Sequence, residues 1–416
     1  MLKKETVGFS TNEECRICKG KKLIKFLDLG YQPLANSFLS KEQLSSEEPA
    51  YPLAVYFCQD CNLAQLLHVV EKEILFKDYI YFSSGMPKLS NHFRDYAMDI
   101  MNRFLKPGDF VVELASNDGI LLKFFKENGY KILGIDPAEN IAKKAMESGV
   151  DMVVDFFSTN IAKEVVKEKG KAKVIMANNV VAHINDHHDL AKGVETLLDK
   201  KGVFVFEAPY LIDMFENLTY DTIYHEHLSY LAVRPLKTLF EKFGLEIFDV
   251  KLFPVQGQSL RVFVCKKGEY EINESVEKYV KLEESWGLNK IDSYFDLAKR
   301  IEESKIKLNS LLEDLKKKGK RISAYGAPAK GNTLLNYCGI GSDLIEYALD
   351  DLPSKQGLFT PGTHIPAVTK EYSQKNIPDY FLLLAWNYAK LIQEREQDFT
   401  NRGGKFIIPV GQIEIL

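Results

Sequence analysis

Between residues 109 and 209 the chain repeats one pattern, a short strand-like run followed by a stretch of helical spacing. The runs are "FVVELA", "YKILGID", "MVVDFF", "KVIMANNVV" and "GVFVFEAP". They are apolar at consecutive rather than alternate positions, which is how strands read when both faces of their sheet are covered. The rhythm therefore predicts a parallel sheet wrapped by helices, closed by "RVFVCKKG". "HFRDYAMDIMNRFL" (92–105) precedes it as an amphipathic helix. Residues 270–318 read as long charged helices with one apolar stripe. A second α/β rhythm follows in "RISAYGA", "LIEYALDD", "YFLLLAWN" and "GKFIIPVG".

The first 75 residues obey a different rule. Cys15 and Cys18 ("CRIC") and Cys58 and Cys61 ("CQDC") are two knuckles that can each offer two thiolates to one tetrahedral ion. Four cysteine ligands leave no open position, so the expectation is one structural zinc. Cys265 and Cys338 sit in apolar contexts and read as core. Three domains are expected: a zinc-binding module at 1–75, an α/β domain at 76–268, and a helical linker with a C-terminal α/β domain at 269–416. A net charge of −4 gives no basic field for nucleic acid or anionic membranes. No apolar run has the length of a signal peptide core or a membrane span. The expected protein is a cytoplasmic monomer with no membrane or nucleic-acid partner.

"FVVELA" runs into "SNDGILLKFF", a polar turn opening a helix, and the next strand ends at Asp136, 23 residues after Glu113. An acid ending the second strand can hold ribose hydroxyls. The turn reads A-S-N-D-G instead of GxGxxG, so no glycine pair brings backbone against a pyrophosphate. That argues against a dinucleotide and for S-adenosylmethionine.

"ELASNDGILL", "GIDPAENIA", "DFF" at 155–157 and "ANNVVAHI" at 177–184 resemble the cofactor loops of class I S-adenosylmethionine-dependent methyltransferases, a Rossmann-like fold. Together with the four cysteines, "GYQPLANSF", "YIYFSSGM", "YHEHLSY", "DDLPSKQG", "PGTHIP" and "AWNY" resemble the C-methyltransferases of deoxysugar biosynthesis, in the same order and over essentially the whole chain. The resemblance implies a Rossmann-like C-terminal domain and a nucleotide-linked 4-keto-6-deoxysugar as substrate, with C-3 favoured. It implies cofactor contacts at Glu113, Asn117, Asp118, Gly119, Asp136, Phe156 and Asn178. Asp136 suits the ribose and Phe156 the adenine face. One departure is Ala115, where the family usually has glycine.

Methylating carbon requires a carbanion, which a C–H next to a ketone can supply as an enolate. The protein must then provide a base and a donor for the enolate oxygen. Five of the eight histidines fall between 183 and 227, where even scatter gives about one, and histidine is the side chain suited to act as a base at neutral pH. The resemblance implies a catalytic cluster of His183, Tyr224, Glu226 and His227. His227 is expected as the base and Tyr224 or His183 as donor to the C-4 oxygen. Glu226 is expected to orient or charge-tune a neighbouring ring, and His225 to be structural. His183 is read as the end of the fourth strand, and His187 and His188 as a polar helix start.

A nucleotide-sugar also needs a clamp. The turn in "AYGAPAKGNTLLN" is expected to offer backbone N–H groups and Lys330 to a diphosphate, with Lys355 in a loop nearby. Tyr79, Tyr81, Ser83 and Ser84 of "YIYFSSG" are expected to bind sugar hydroxyls. Methyl transfer to oxygen or nitrogen of another small metabolite is the alternative. A zinc-bearing RNA methyltransferase or a non-catalytic binder is a third class. The charge balance opposes the first of that pair, and the "YHEH" cluster opposes the second.

Overall fold

The computed structural model describes residues 2–3, 8–76, 87–254 and 257–416. Near the N-terminus three strands, β1 (Leu23–Gln32), β2 (Tyr51–Cys58) and β3 (Ala64–Leu66), form an antiparallel sheet. Its fourth strand, Ser229–Tyr230, comes from far along the chain and pairs antiparallel with β3. A buried core of Phe57, Leu63 and Leu66 backs the sheet.

Helix α1 (Pro87–Phe104) leads into the central unit, burying Phe93, Tyr96, Ala97, Ile100 and Met101 along one stripe. Strands β4 (Phe110–Leu114), β5 (Lys131–Ile135), β6 (Met152–Val153), β7 (Ala172–Asn178) and β8 (Leu198–Pro209) are parallel, with α2 (Ile120–Glu127) following β4. The order across the sheet is β6-β5-β4-β7-β8, continued by β10 (Ser259–Lys266) and then β9 (Leu245–Phe253). This is the doubly wound class I arrangement, and the strand order reverses between β4 and β7. Two expectations need correcting. The closing element is an antiparallel hairpin, because β10 runs against β8 and recruits β9, which the rhythm had not indicated. "MVVDFF" yields only the two-residue β6.

Helices α3 (His187–Leu197) and α4 (Ile291–Lys317) are the central helix after β7 and the long linker helix. The C-terminal unit holds β11 (Ile322–Tyr325), α5 (Ala329–Cys338), β12 (Ala348–Leu349), β13 (Ala367–Val368), β14 (Tyr380–Leu383), β15 (Lys405–Ile408) and β16 (Glu414–Ile415). Its order, β13-β12-β11-β14-β15-β16, repeats the reversal at the first strand. Among the described residues no helix is long and apolar enough to cross a membrane.

One buried ion pair braces the central sheet beside its crevice. Asn178, Glu207 and Arg261 stand in register on β7, β8 and β10. Arg261 Nε donates to Glu207 Oε1 at 2.8 Å, His92 Nε2 meets Glu207 Oε2 at 2.8 Å, and the guanidinium lies 4.0 and 3.9 Å from the ring centres of Tyr96 and Phe253. Removing one member of such a pair strands the other charge in apolar surroundings. Arg261→Met should cost about 3–5 kcal/mol in urea unfolding. A loss under about 1 kcal/mol would mean that water already reaches the pair.

Candidate functional site

The crevice lies outside the carboxyl ends of β4 and β7. The turn from Ala115 to Gly119 is left-handed at Ala115 (φ 50°), Asn117 (φ 49°) and Gly119 (φ 74°). That explains the glycine usual at the first position, since a Cβ there costs roughly 1–2 kcal/mol. At Gly119 a Cβ would also come within 2.9 Å of Val150. Asp136 holds the turn from the next strand, accepting from Asn117 N–H at 2.9 Å and Ala138 N–H at 3.0 Å. Asp118 and Asp136 are buried here.

Behind the turn, Glu113 is buried on β4 and Asn178 ends β7. Burial pushes the Glu113 carboxyl well above its usual range, and Asp136 and Asp118 add to the rise. Glu113 Oε2 and both amide atoms of Asn178 are buried without a hydrogen-bond partner among the described residues. Orphaned donors and acceptors at the mouth of a switch-point crevice are what a polar ligand satisfies. An amino-acid head group and a ribose fit that set. Phe156 is half-buried with the Lys72 ammonium 3.9 Å from its ring centre, so one face of the ring is already covered.

The histidine turn faces the same end of the sheet. A 3-10 helix over Tyr220–Thr222 leads into it, and His227 N–H bonds back to Tyr224 O at 2.8 Å. The turn aims its four side chains differently. His227 Nδ1 lies 2.7 Å from Thr222 O, so that nitrogen carries the hydrogen and Nε2 keeps its lone pair. The Tyr224 hydroxyl, 2.9 Å away, donates to Nε2. His183 meets His227 edge to face, ring centres 4.8 Å apart. Burial lowers the His227 pKa to about 4, with the Thr222 carbonyl opposing, and holds His183 well below the usual range, helped by His227. Both rings are therefore neutral at pH 7. His183 does not end a strand; it closes the 3-10 helix Val181–His183 beyond β7.

The other two members turn away. His225 is buried against Tyr51, with Nε2 3.2 Å from Tyr51 O, in keeping with a structural role. Glu226 bonds no ring; its Oε1 accepts from Asn36 Nδ2 at 2.7 Å. Burial pushes its carboxyl up to about 7, against the pull of Asn36. Asn36, in the "LANSF" motif, had no role in the sequence reading. His187 and His188 do open α3, but His187 is buried and not part of a polar surface.

All four cysteine sulfurs lie within 4.8 Å of one another, with Cys15–Cys61 at 3.5 Å and Cys18–Cys58 at 3.4 Å. A tetrahedral zinc–sulfur bond of about 2.3 Å needs sulfur–sulfur edges of about 3.8 Å, so the set fits zinc.

The clamp differs from expectation. Lys330 lies in the first turn of α5; its Nζ bonds Asn387 Oδ1 at 2.7 Å and sits 3.8 Å over the Trp386 ring. Burial lowers its pKa to about 8 against the pull of Asp221 and Asp213. Lys355 Nζ donates to Ala327 O at 2.9 Å, 3.7 Å from Asp350. Ala327 N–H, in the turn expected to offer backbone N–H groups to a diphosphate, is given to Asp350 Oδ2 at 2.7 Å. Lys355 thus reaches the Gly326–Ala329 turn and Lys330 follows it in the chain, but each ammonium has local partners that a diphosphate would have to displace. Tyr79, Tyr81, Ser83 and Ser84 lie outside the described residues.

Three family models match the chain: a zinc binding domain over residues 15–76, a methyltransferase domain over 90–250, and a C-methyltransferase C-terminal domain over 254–411. The C-methyltransferase NovU of Streptomyces niveus is 36% identical over 406 residues, 97% of each chain. Among solved structures, an S-adenosylmethionine-dependent methyltransferase of Clostridium acetobutylicum covers 43% of this chain and 92% of its own, with 16% identity and a TM-score of 0.34. The magnesium protoporphyrin IX methyltransferase of Synechocystis covers 43% and 79%, with 10% identity and a TM-score of 0.32.

The raised Glu226 carboxyl has a stability signature. Its folded pKa of about 7 exceeds the ordinary 4.5, so the folded chain binds more protons between those values and stability falls as pH rises through that window. Glu226→Gln removes the titration. The variant should therefore gain on wild type by about 2 kcal/mol between pH 5 and pH 8 in urea midpoints. A pH-independent difference would place the carboxyl in water.

Proposed function

The chain belongs to the C-methyltransferases that carry a zinc binding domain ahead of the methyltransferase domain, and from that premise we propose that it methylates C-3 of a nucleotide-linked 4-keto-6-deoxysugar. It uses S-adenosylmethionine. We assign residues 1–75 to the zinc module, 76–268 to cofactor binding and catalysis, and 269–416 to holding the nucleotide-sugar. The working form proposed is a cytoplasmic monomer.

One observation carries the reading: the Thr222 carbonyl fixes the His227 hydrogen on Nδ1 and leaves the Nε2 lone pair facing the Tyr224 hydroxyl. A neutral imidazole with a directed lone pair is a base, and a phenol beside it is a donor. The phenol caps that lone pair. A ketone oxygen arriving in the turn gives Tyr224 a new acceptor, which frees Nε2. The proton on the carbon beside the ketone then passes to Nε2, the C–H bonding pair becomes the carbon–carbon double bond of the enolate, and the carbonyl π pair moves onto the ketone oxygen, held by Tyr224 with His183 adjacent. Bound S-adenosylmethionine supplies the electrophilic methyl that the enolate carbon takes. Neutral surroundings support the step, since His183 and His227 are both uncharged at pH 7. Lys330 and Lys355 belong to the diphosphate side of this reading.

Only carbon methylation begins with a proton leaving carbon, which separates it from oxygen or nitrogen transfer. With S-adenosylhomocysteine bound and D₂O as solvent, the carbon beside the ketone of such a sugar should exchange its hydrogen faster with enzyme than without. His227→Asn should reduce exchange and turnover by roughly 10²–10⁴-fold and leave S-adenosylhomocysteine affinity unchanged. Tyr224→Phe should slow both less. Full-rate methylation by His227→Asn would move the base to another residue. Absence of both exchange and methylation with any nucleotide-linked 4-keto-sugar would sink the substrate class.

A further inference from the structure

Arg16 sits between two cysteines of the first knuckle and is only 1% exposed. Burying a guanidinium is costly unless its geometry is used. Among the described residues no carboxylate pairs with it; every hydrogen-bond partner is a neutral oxygen. Its Nη1 donates to Leu228 O at 2.5 Å and to Gln65 Oε1 at 3.3 Å, its backbone N–H donates to Gln65 Oε1 at 3.2 Å, and Nη2 donates to Asn185 Oδ1 at 3.4 Å.

Two of those partners are placed with consequence. Leu228 directly follows His227, and Asn185 stands two residues after His183. One planar fork therefore touches both segments that carry the paired histidines. Because a guanidinium presents its donors in fixed directions, it sets the spacing of those segments, and with it the 4.8 Å ring separation. We infer that Arg16 is a positioning residue for the His183–His227 pair, held in place by the zinc knuckle. This rests on the reading of that pair as the reacting centre.

The surrounding bonds support a rigid link. Leu228 O also accepts from Leu66 N–H at 3.0 Å, and Asn185 Oδ1 from Asn12 Nδ2 at 2.8 Å. In the other direction the knuckle's own carbonyls are taken by the central unit: His188 Nε2 reaches Ile17 O at 2.6 Å, and Lys242 Nζ reaches Cys18 O at 3.0 Å. The four-sulfur cluster fixes the backbone from which Arg16 projects, so a metal with no open position bears on the reaction through one side chain.

Three variants test this. Arg16→Met keeps bulk without donors, Arg16→Lys keeps charge without the fork, and Asn185→Ala removes the His183 branch together with the Asn12 bond and leaves the cysteine knuckle itself unchanged. Each is compared with wild type for zinc per chain, S-adenosylhomocysteine affinity, kcat and KM, and ring signals of ¹⁵N-labelled histidines in the S-adenosylhomocysteine complex. The expected result is one zinc and unchanged cofactor affinity. With these, kcat should fall about 10–100-fold, since a misplacement near 1 Å costs on that order, and KM should stay within about twofold. The ring signals of His183 and His227 should move while those of His68 and His364 stay. Arg16→Lys should recover less than tenfold. Should the Arg16 variants lose zinc, Asn185→Ala decides: wild-type kcat and unmoved His183 signals there overturn the proposal. So do full activity or unmoved rings in a zinc-loaded Arg16→Met. The ring signals need no sugar substrate, so a wild type that methylates no keto-sugar sinks the substrate reading and leaves the positioning claim on its own evidence.

Discussion

Ser229–Tyr230 leaves the central unit to become the fourth strand of the N-terminal sheet, pairing with β3. Everything at the histidine turn depends on that loan. The excursion starts at Tyr210, which bridges Leu231 in parallel, and Leu211 N–H bonds Leu231 O at 3.0 Å, so its two ends are tied together at the root. Just before it returns to Leu231 it is tied to β3 by backbone bonds. A connection of this length would ordinarily be mobile. Pinned at the root and at the strand, it holds Tyr224 and His227 in hydrogen-bonding register instead, so the base proposed there is as well placed as one on a sheet.

Burial then sets the character of the turn. It drives His183, His225 and His227 toward the neutral form and Glu226 toward the protonated one, and desolvation is the largest cause in each case. A weakly charged pocket suits enolate chemistry. In the proposed reaction, negative charge developing there would meet few competing anions and little water, so that a fixed donor such as the Tyr224 hydroxyl would act at low dielectric and at close range. The same burial costs folding stability at Glu226, which fits the tendency of reactive sites to hold groups that the rest of the fold must offset.

What the sequence disclosed follows from the range of the interactions. The CxxC knuckles, the parallel-sheet rhythm and the acids at strand ends are encoded within a few residues of one another, and they were legible. β9 was not: "LEIFDVKLF" intersperses apolar residues with charges, as a hairpin edge does, and lacks the rhythm that marked its neighbours. At Ala115 the departure from glycine was visible, but its meaning needed the backbone angle. The two lysines read as free cations because nothing local announces Asn387, Ala327 O or Asp350 as their partners. Asn36 and Glu226 lie 190 residues apart, and Arg16 and Leu228 lie 212 apart. No period or motif encodes pairs at such separations.

Those long-range pairs share a direction: they run to the N-terminal module. The C-terminal unit is fastened to it by Asn332 Nδ2 on Ala35 O, by paired backbone bonds between Leu39 and Phe359, and by the Glu48 carboxylate accepting Gly362 N–H and meeting His364 Nε2. The central unit is fastened to it through Arg16, Asn36 and the loaned strand. Direct contacts between the two larger units also exist, such as Trp386 Nε1 on Asp221 Oδ2 at 2.6 Å, and they land just ahead of the histidine turn. In the proposed reaction, where one unit holds the substrate and another carries the base, their separation must be held to well under an ångström. Referring both to a small third body through short hydrogen bonds adds to the direct contacts in fixing that separation. A segment of this size cannot be rigid on its hydrophobic core alone, and four thiolates on one zinc make it so.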